Sequence, residues 1–138
     1  MVVTKKISLE SKGHCDIIDI TPQVERQLAE TDISDGTVTL FVTGSTAGIS
    51  TIEFESGLLS DFQDMWARNV PTDIPYQHDR AWGEGNGYSH VRASLLGASL
   101  VIPFSDKRLA LGTWQQVVLV DFDNRPRSRQ IVVQIMGE

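Results

Sequence analysis

The sequence lacks most of the features that mark specialised classes of protein. Cys15 is the only cysteine among 138 residues, so the chain has neither a disulfide framework nor a cysteine-based zinc motif. No stretch approaches the roughly 18 consecutive apolar residues of a membrane span, and the N-terminus has no apolar signal segment. We therefore expect a reduced, cytoplasmic protein with no membrane partner, in which Cys15 is a small buried or half-buried thiol.

Positive charge is also scarce. Twelve Lys and Arg residues stand against eighteen Asp and Glu, which gives a formal net charge of −6 and an isoelectric point near 5.0. Nucleic acids and anionic membranes both favour basic surfaces, so the overall charge argues against nucleic acid as the main partner. It leaves room for a local basic pocket.

What remains is an ordinary globular composition. Hydrophobic residues make up 41% of the chain and charged residues 22%, which argues against disorder. A chain of 138 residues and 15.3 kDa is the size of one domain, and no linker or repeat divides it. We expect a single domain over residues 1–138.

Alternating polar and apolar residues predict a fold made mainly of strands. The predicted strands are Val2–Leu9, Cys15–Ile20, Gly36–Thr43, Ile49–Glu55, Tyr88–Leu96, Ser99–Phe104, Leu109–Phe122 and Gln130–Met136. One helix is predicted from Thr21-Pro22 to near Thr31, and a second carries an apolar stripe from Leu58 to Trp66 and ends before Pro71. This order predicts an α+β protein, mainly β, with an antiparallel or mixed sheet and two helices. Residues 71–89 are predicted to form a long loop, which is usually functional.

The predicted strand Tyr88–Leu96 supplies the first candidate chemistry. His90, Arg92 and Ser94 would share one face, opposite three apolar residues. A histidine beside a fixed cation suits proton transfer next to a phosphate or carboxylate. A solvated outer face is the alternative interpretation.

Two further segments point in the same direction. The segment Gly-Ser-Thr-Ala-Gly at 44–48 follows an apolar strand, and its backbone N–H groups with the hydroxyls of Ser45 and Thr46 could bind an anion. A plain bulge would explain its glycines equally well. Glu53, on the next strand, is a candidate general base or metal-binding carboxylate; its alternative is a surface residue beside Glu55.

The remaining polar candidates are spread along the second half of the chain. Asn86 is a candidate polar contact within the glycine-rich segment 83–87. No histidine motif of zinc enzymes is present, so a metal site would have to be assembled by the fold, for example from His78, His90 and a carboxylate such as Asp79 or Glu84.

Three arginines alternate near the C-terminus. Arg125, Arg127 and Arg129 flank Pro126 and follow an Asp-Asn pair. A charged turn is the simplest interpretation, and capture of a phosphate group is the alternative.

Three blocks of sequence together resemble the YjbQ family. They are Gly44-Ser45-Thr46-Ala47 with Glu53, the segment from Asn86 to Gly97 (NGYSHVRASLLG), and Leu111 to Gln116 (LGTWQQ). The blocks occur in the family's order over nearly the whole chain, and residues 121–129 resemble the family's Asp-Gly-Pro-Arg hairpin. Many relatives have His-Thr-Thr where this chain has Gly44-Ser45-Thr46, so a candidate metal ligand is missing here.

The resemblance implies a compact β-rich sandwich with two helices, assembled as a homotrimer. It also implies a polar pocket near a subunit boundary. The pocket positions that match the family are Glu53, Asn86, His90, Trp114 and Gln115.

The resemblance further implies an activity, because members of the family are described as secondary thiamine-phosphate synthases. The reaction joins a pyrimidine methyl diphosphate to a thiazole phosphate and releases pyrophosphate. Arg92 and the 44–48 segment, with Ser45 and Thr46, would bind the phosphates, and Trp114 would stack on the pyrimidine. Glu53 and His90 would orient the substrate or move protons, with Asn86 and Gln115 as further contacts.

Two other functions are compatible with the same residues. One is a non-catalytic trimer that binds a small phosphorylated metabolite. The other is a metal-dependent hydrolase, in which His78 and His90 would bind a divalent cation such as Mg²⁺ or Zn²⁺.

Overall fold

The computed structural model describes residues 1–138 and contains eight strands and four helices. The strands are β1 (Val2–Ser11), β2 (Asp16–Asp19), β3 (Gly36–Val42), β4 (Ala47–Glu53), β5 (Ser99–Ser105), β6 (Arg108–Leu109), β7 (Gln115–Asp121) and β8 (Arg127–Gly137). The helices are α1 (Thr21–Ala29), α2 (Ser56–Asn69), α3 (Gln77–Trp82) and α4 (Gly87–Leu96).

The larger of two sheets has five antiparallel strands in the order β1-β8-β3-β5-β6. Its long central strands alternate as the sequence predicts, and Val38, Leu40 and Val42 are fully buried on one face of β3. The same face of β8 buries Ile131, Val133 and Ile135. Alternation with a period of two therefore places one face of this sheet on the core and the other in solvent.

The smaller sheet has three antiparallel strands in the order β2-β7-β4, and its middle strand separates two cores. Val117 and Leu119 of β7 pack into the main core with the large sheet and α1. Val118 and Val120 pack on the other side, against Trp66 of α2. A strand covered on both faces needs a continuous apolar run, which explains the sequence Val-Val-Leu-Val.

Helix α2 matches its prediction. Its N-terminal amides are capped by the Glu55 carboxylate, which accepts hydrogen bonds from Leu58 N at 2.7 Å and Gly57 N at 3.0 Å and thereby has a lowered pKa. The apolar stripe ends in the buried Trp66, which contacts Phe122 at 4.9 Å between ring centroids. Cys15 is buried in the same core, and this burial raises the pKa of its thiol to about 11.

The prediction of a strand at Tyr88–Leu96 was wrong, because this segment forms α4. A strand would bury every second residue, but α4 buries residues one, three and four positions apart, as a helix does. These residues are Tyr88, Ser89, Arg92 and Ala93. The alternation of polar and apolar residues was therefore misleading. His90, Arg92 and Ser94 do not share one face as predicted.

The chain also has four helices where two were predicted, because α3 lies within the predicted loop 71–89 and α4 replaces a strand. The predicted strand Leu109–Phe122 is divided into β6 and β7 by residues 110–114. The broader prediction of a mainly β, α+β architecture with antiparallel sheets is confirmed.

Candidate functional site

A polar cavity of about 450 Å³ opens where β4 begins and β7 ends, beside the N-terminus of α4. It is formed by the turn before β4, by α3 and the residues after it, by the start of α4 and by the start of β8. Its lining residues are Gly44, Ser45, Thr46, His78, Trp82, Glu84, Asn86, His90, Arg127 and Arg129. The fold thus brings together five residues of the predicted site, Ser45, Thr46, His78, Asn86 and His90. Arg127 and Arg129, for which phosphate capture was the alternative prediction, join them.

Behind the cavity lies a buried ion pair between Asp121 and Arg129. Asp121, at the end of β7, is completely buried and accepts hydrogen bonds from Arg129 Nε at 2.6 Å and Nη2 at 2.8 Å. Its carboxylate also accepts from the hydroxyl of Ser11 and from Asp123 N at 3.1 Å. A bidentate pair with this many additional bonds fixes the guanidinium in one orientation.

A second buried carboxylate, Asp123, organises the wall of the cavity. It accepts hydrogen bonds from Arg127 Nε at 2.6 Å, Thr46 Oγ1 at 3.0 Å, Asn86 Nδ2 at 3.2 Å and Asn124 N at 2.8 Å. Burial alone would raise the pKa of Asp123, but these hydrogen bonds outweigh it and the pKa is lowered. Asp123 is therefore an anion that holds three other segments in place, those of Thr46, Asn86 and Arg127.

Residues 13–15 have an unusual backbone conformation and support the main chain at Asp123. Gly13, His14 and Cys15 all have positive φ, at 73°, 55° and 62°. This bend lets His14 N donate a 2.7 Å hydrogen bond to the Asp123 carbonyl. A Cβ on Gly13 would lie 2.4 Å from the Arg125 carbonyl oxygen, so only glycine fits this close approach.

Two histidines form the opposite side of the cavity. The rings of His78 and His90 lie 4.4 Å apart between centroids. Burial, followed by the neighbouring His78, lowers the pKa of His90, so its imidazole is neutral at pH 7. His78 Nδ1 is buried without a hydrogen-bond partner and lies 3.8 Å from Asp79 Oδ1.

The histidines do not by themselves complete a metal site. Nowhere does the structure bring together three or more His, Cys, Asp or Glu side chains in a group that could hold a metal ion. A zinc or magnesium ion at His78 and His90 would therefore need ligands from outside this group.

Arg92, predicted to bind phosphate, does not line the cavity. Its Nε and Nη2 donate to the Val70 carbonyl at 3.0 and 2.9 Å, and its guanidinium lies over the ring of Tyr88. The reason is the helical geometry of α4, which turns Arg92 toward the second core while His90 faces the cavity. The arginines that line the cavity are Arg127 and Arg129.

Glu53, Trp114 and Gln115 lie at the other end of the small sheet. The pairing of β4 with β7 places Ala47 beside Asp121 at the cavity and Glu53 beside Gln115 at the far end. Six residue steps along a strand span roughly 20 Å. Within one chain, these three residues and the cavity are therefore separate.

The far end has its own local structure. The Gln115 side chain accepts from Gly112 N and donates to Thr51 Oγ1, both at 3.0 Å, and it lines a separate cavity of about 380 Å³. Trp114 is 73% exposed and therefore has little contact with the rest of the chain.

Three residues that build the cavity were not predicted from the sequence, namely Asp121, Asp123 and Trp82. Glu84 was predicted only as a candidate metal ligand, and it lines the cavity. The two aspartates had a signal: they alternate directly after the apolar run 117–120 and precede two alternating arginines, Arg127 and Arg129. Carboxylates in such a buried position require cationic partners. Trp82 and Glu84 had no comparable signal.

The structure contains no helix that is both long and apolar enough to cross a membrane.

Comparison with known proteins identifies relatives over the full fold. A model of the family described as UPF0047 protein YjbQ-like matches residues 5–138. A UPF0047 protein of Archaeoglobus fulgidus is 37% identical over 131 residues, covering 95% of this chain and 99% of the relative. The UPF0047 protein YugU of Bacillus subtilis is 33% identical over 135 residues, covering 96% and 98%.

Solved structures of similar proteins have the same fold. A crystal structure from Sulfolobus solfataricus, of a YbjQ-like protein of unknown function, has a TM-score of 0.90 at 30% identity and covers 100% of both chains. An uncharacterised protein of the same family from Clostridium acetobutylicum has a TM-score of 0.88 at 32% identity, covering 96% of this chain and 99% of that one. Sequence and fold lead to one conclusion: this chain belongs to the uncharacterised YjbQ-like UPF0047 family.

Proposed function

We propose that the cavity binds the phosphate or diphosphate group of a small metabolite. The observation that supports this most strongly is the pair of arginines in its wall. Arg127 and Arg129 are each held on one edge by a completely buried aspartate, at 2.6 Å from Nε to the carboxylate. Guanidinium groups fixed in this way present their remaining N–H donors to a ligand without losing side-chain entropy on binding.

The wall of the cavity offers hydrogen-bond donors of fixed direction and has no excess of positive charge. Asp121 and Asp123 balance Arg127 and Arg129, so an anionic ligand would be recognised by hydrogen bonds of fixed direction. The Thr46 hydroxyl accepts from Arg129 Nη2 at 2.6 Å and donates to Asp123, which makes it a positioning group. The Ser45 hydroxyl makes no hydrogen bond within the chain and would be free to donate to the ligand.

Binding can be tested by calorimetric titration of the purified protein with pyrophosphate. We expect saturable binding by the wild type and a loss of at least about tenfold in affinity in Arg127→Gln, because one charge-assisted hydrogen bond is removed. Arg125→Gln is the matched control, since Arg125 lies in the same hairpin, is exposed and does not line this cavity. Equal affinity in all three proteins, or no binding by the wild type, would contradict the proposal.

A second candidate function is the thiamine-phosphate synthase reaction that the sequence resemblance implies. Trp82 supports it, because this side chain lines the cavity, is 72% exposed and could stack on a pyrimidine ring. In the reaction, the thiazole nitrogen forms a bond to the pyrimidine methylene carbon with its lone pair. The bond from that carbon to the diphosphate oxygen breaks, and pyrophosphate leaves with the electron pair.

The residues around the cavity suit the departure of pyrophosphate. Arg127 and Arg129 would stabilise the charge that develops on the leaving group, and the neutral imidazole of His90 could donate an N–H. No proton has to be removed from either substrate for the new bond to form. His90 is therefore proposed as a donor that orients the diphosphate, with Asn86 holding Asp123 in place.

We further propose that the functional unit is a homotrimer in which Glu53, Trp114 and Gln115 of one copy approach the cavity of the next. The separation of roughly 20 Å along β4 within one chain supports this, because only another copy could unite the two halves of the predicted site. The exposure of Trp114 and Trp82, at 73% and 72%, also supports it, since contact between copies would cover large apolar side chains.

Formation of thiamine phosphate from both precursors, assayed with added Mg²⁺ and separately with EDTA, tests the reaction. We expect turnover by the wild type and its loss in His90→Gln. Saturable binding of pyrophosphate without turnover under either condition would exclude the synthase and leave the binding function.

Mixed variants test whether one site uses two copies. If Glu53→Gln and His90→Gln are each inactive and are refolded together in equal amounts, about one site in four should combine both native residues and regain activity. Light scattering gives the mass of the assembly. A monomeric mass, or a mixture as inactive as its components, would contradict the shared site.

A further inference from the structure

The absence of a side chain at position 44 has a structural consequence inside the cavity. The φ angle of Gly44 is outside the left-handed region, so the backbone there could accommodate another residue. A Cβ at this position, however, would lie 2.9 Å from Arg129 Nη1. A side chain at position 44 would thus press on the Arg129 guanidinium, and the constraint comes from space and not from backbone conformation.

The nitrogen that faces this space has no partner within the protein. Arg129 is only 7% exposed, and its Nε and Nη2 are bound to Asp121 and Thr46. Nη1 makes no hydrogen bond in the structure, although Arg129 lines the cavity together with Gly44. A nearly buried cation with free N–H donors on one side is a site that favours an acceptor.

We propose that Gly44 leaves room for one phosphoryl oxygen of the ligand, which accepts a hydrogen bond from Arg129 Nη1. Nη1 lies 2.9 Å from the position that a Cβ of residue 44 would have, so a side chain there would cover the free N–H groups and the glycine leaves them open to the cavity. A phosphoryl oxygen can therefore approach Nη1 over the Gly44 Cα, at van der Waals distance from it, where a side chain would block the approach. The neighbouring Ser45 hydroxyl is a second donor for the same phosphoryl group.

This inference rests on the proposed binding function and specifies where the phosphoryl group sits. It also assigns different tasks to the two arginines. Arg129 is immobile and recognises one oxygen through Nη1, whereas Arg127 is 31% exposed and contacts the ligand from the cavity side. A substrate that ends in a phosphate fits this arrangement, and an uncharged analogue would leave Nη1 unsatisfied.

The test replaces the missing Cβ. We expect Gly44→Ala to weaken the binding of inorganic phosphate and of pyrophosphate by at least about tenfold in calorimetric titrations, because the methyl group blocks the approach of the oxygen to Arg129 Nη1. Gly112→Ala is the matched control, since a Cβ at Gly112 meets only Gln115 at 3.7 Å and lies outside this cavity. A circular dichroism melt of each variant establishes that it is folded.

The possible results separate this inference from the proposal on which it rests. If Gly44→Ala binds both probes as tightly as the wild type while Arg127→Gln does not, the cavity binds phosphate but the oxygen does not sit at Gly44. If the wild type binds neither probe, both proposals are wrong. Weakening of pyrophosphate alone would place the second phosphoryl group, not a lone phosphate, at Arg129.

A direct measurement avoids reliance on the variant's stability. In ¹⁵N-labelled wild-type protein, the guanidinium resonances of Arg129 can be followed while inorganic phosphate is added. We expect the Nη1 signals to shift and saturate together with binding, whereas those of Arg92, which is bound to the Val70 carbonyl, should stay constant. Saturable binding without a change at Arg129 Nη1 would overturn the inference.

Discussion

The two ends of the small sheet differ sharply although the same strands build both. At one end, Asp121 and Asp123 are fully buried and bind two arginines, Thr46 and Asn86. At the other end, Glu53 and Trp114 are exposed. Hydrogen bonds and ion pairs organise the first end, and no comparable network holds the side chains of Glu53 and Trp114 at the second.

The two ends hold their functional side chains in different ways. Burial of a charge is tolerated only when partners compensate it, so the cavity end is fixed by its own network before any ligand arrives. An exposed residue such as Glu53 has no such constraint, and its position carries no energetic cost for the isolated chain. Substitutions at the two ends should therefore have very different effects.

The largest contrast is expected for Asp121→Ala against Glu53→Ala. Removal of Asp121 leaves the buried Arg129 guanidinium without its bidentate partner and with Asp123 only at 3.8 Å, so the free energy of unfolding should fall by about 3–5 kcal/mol. Glu53→Ala should change it by less than about 0.5 kcal/mol. Urea unfolding at one fixed protein concentration measures both, and similar losses at the two positions would break the comparison.

The next largest effect is expected for Asp123→Asn, in how the free energy of unfolding changes in acid. The lowered pKa of Asp123 means that the stability due to its ionised form is complete above the ordinary aspartate value of 3.8 and is lost as the pH falls below it. The variant lacks this contribution at neutral pH and should lose less stability over the same acid range. Urea unfolding of both proteins between about pH 5 and pH 3 measures the slopes; parallel slopes would show that Asp123 is not responsible.

A smaller effect is expected on the pH dependence of ligand binding. The pKa of His90 is below its ordinary value of 6.5, and a bound anion would favour the protonated imidazole. His78, Asp123 and Glu84 also act on His90, so its shift reflects their charges as well as the ligand's.

Pyrophosphate affinity should therefore rise a few-fold more in the wild type than in His90→Gln when the pH is lowered from about 8 to about 6. Comparing the two proteins removes the contribution of the ligand's own protonation, because both experience it equally. Identical pH profiles would show that His90 does not sense the anion.

The smallest effect is expected for Trp114→Ala. With 73% of its surface exposed, this side chain contributes little to the folding of one chain, and the unfolding free energy of the dissociated protein should change by less than about 0.5 kcal/mol. The variant should instead weaken assembly, which sedimentation measures as a lower mass at equal concentration. An unchanged mass would remove Trp114 from the proposed contact between copies.

Strands and α2 were predictable because each repeats a simple period over many residues. Val38, Leu40 and Val42 alternate in β3, and the stripe from Leu58 to Trp66 follows the helical period. Helix α4 was mistaken for a strand because its small and polar buried residues Ser89 and Arg92 hide the apolar face that would have revealed a helix. Burial of Arg92 depends on the Val70 carbonyl, which lies 22 residues away.

The candidate site was likewise predictable only where local sequence patterns were sufficient. The residue types of the cavity, including Ser45, Asn86 and His90, were identified from local blocks of sequence and from the family resemblance. The role of Arg92 was misassigned because it depended on the wrong secondary structure. The partners Asp121 with Arg129 and Asp123 with Asn86 could not be paired in advance, since their contacts join different strands and a helix.

Residue order alone predicted the mainly β composition, an antiparallel or mixed sheet, helix α2 and the resemblance to the family. These follow from periodicity and residue type, which act over neighbouring residues. Only the tertiary structure decided which arginines face the cavity, which carboxylates hold them and that position 44 lies against Arg129 Nη1. Such contacts depend on long-range packing, in which a buried charge is stable only beside the partner that the whole fold brings to it.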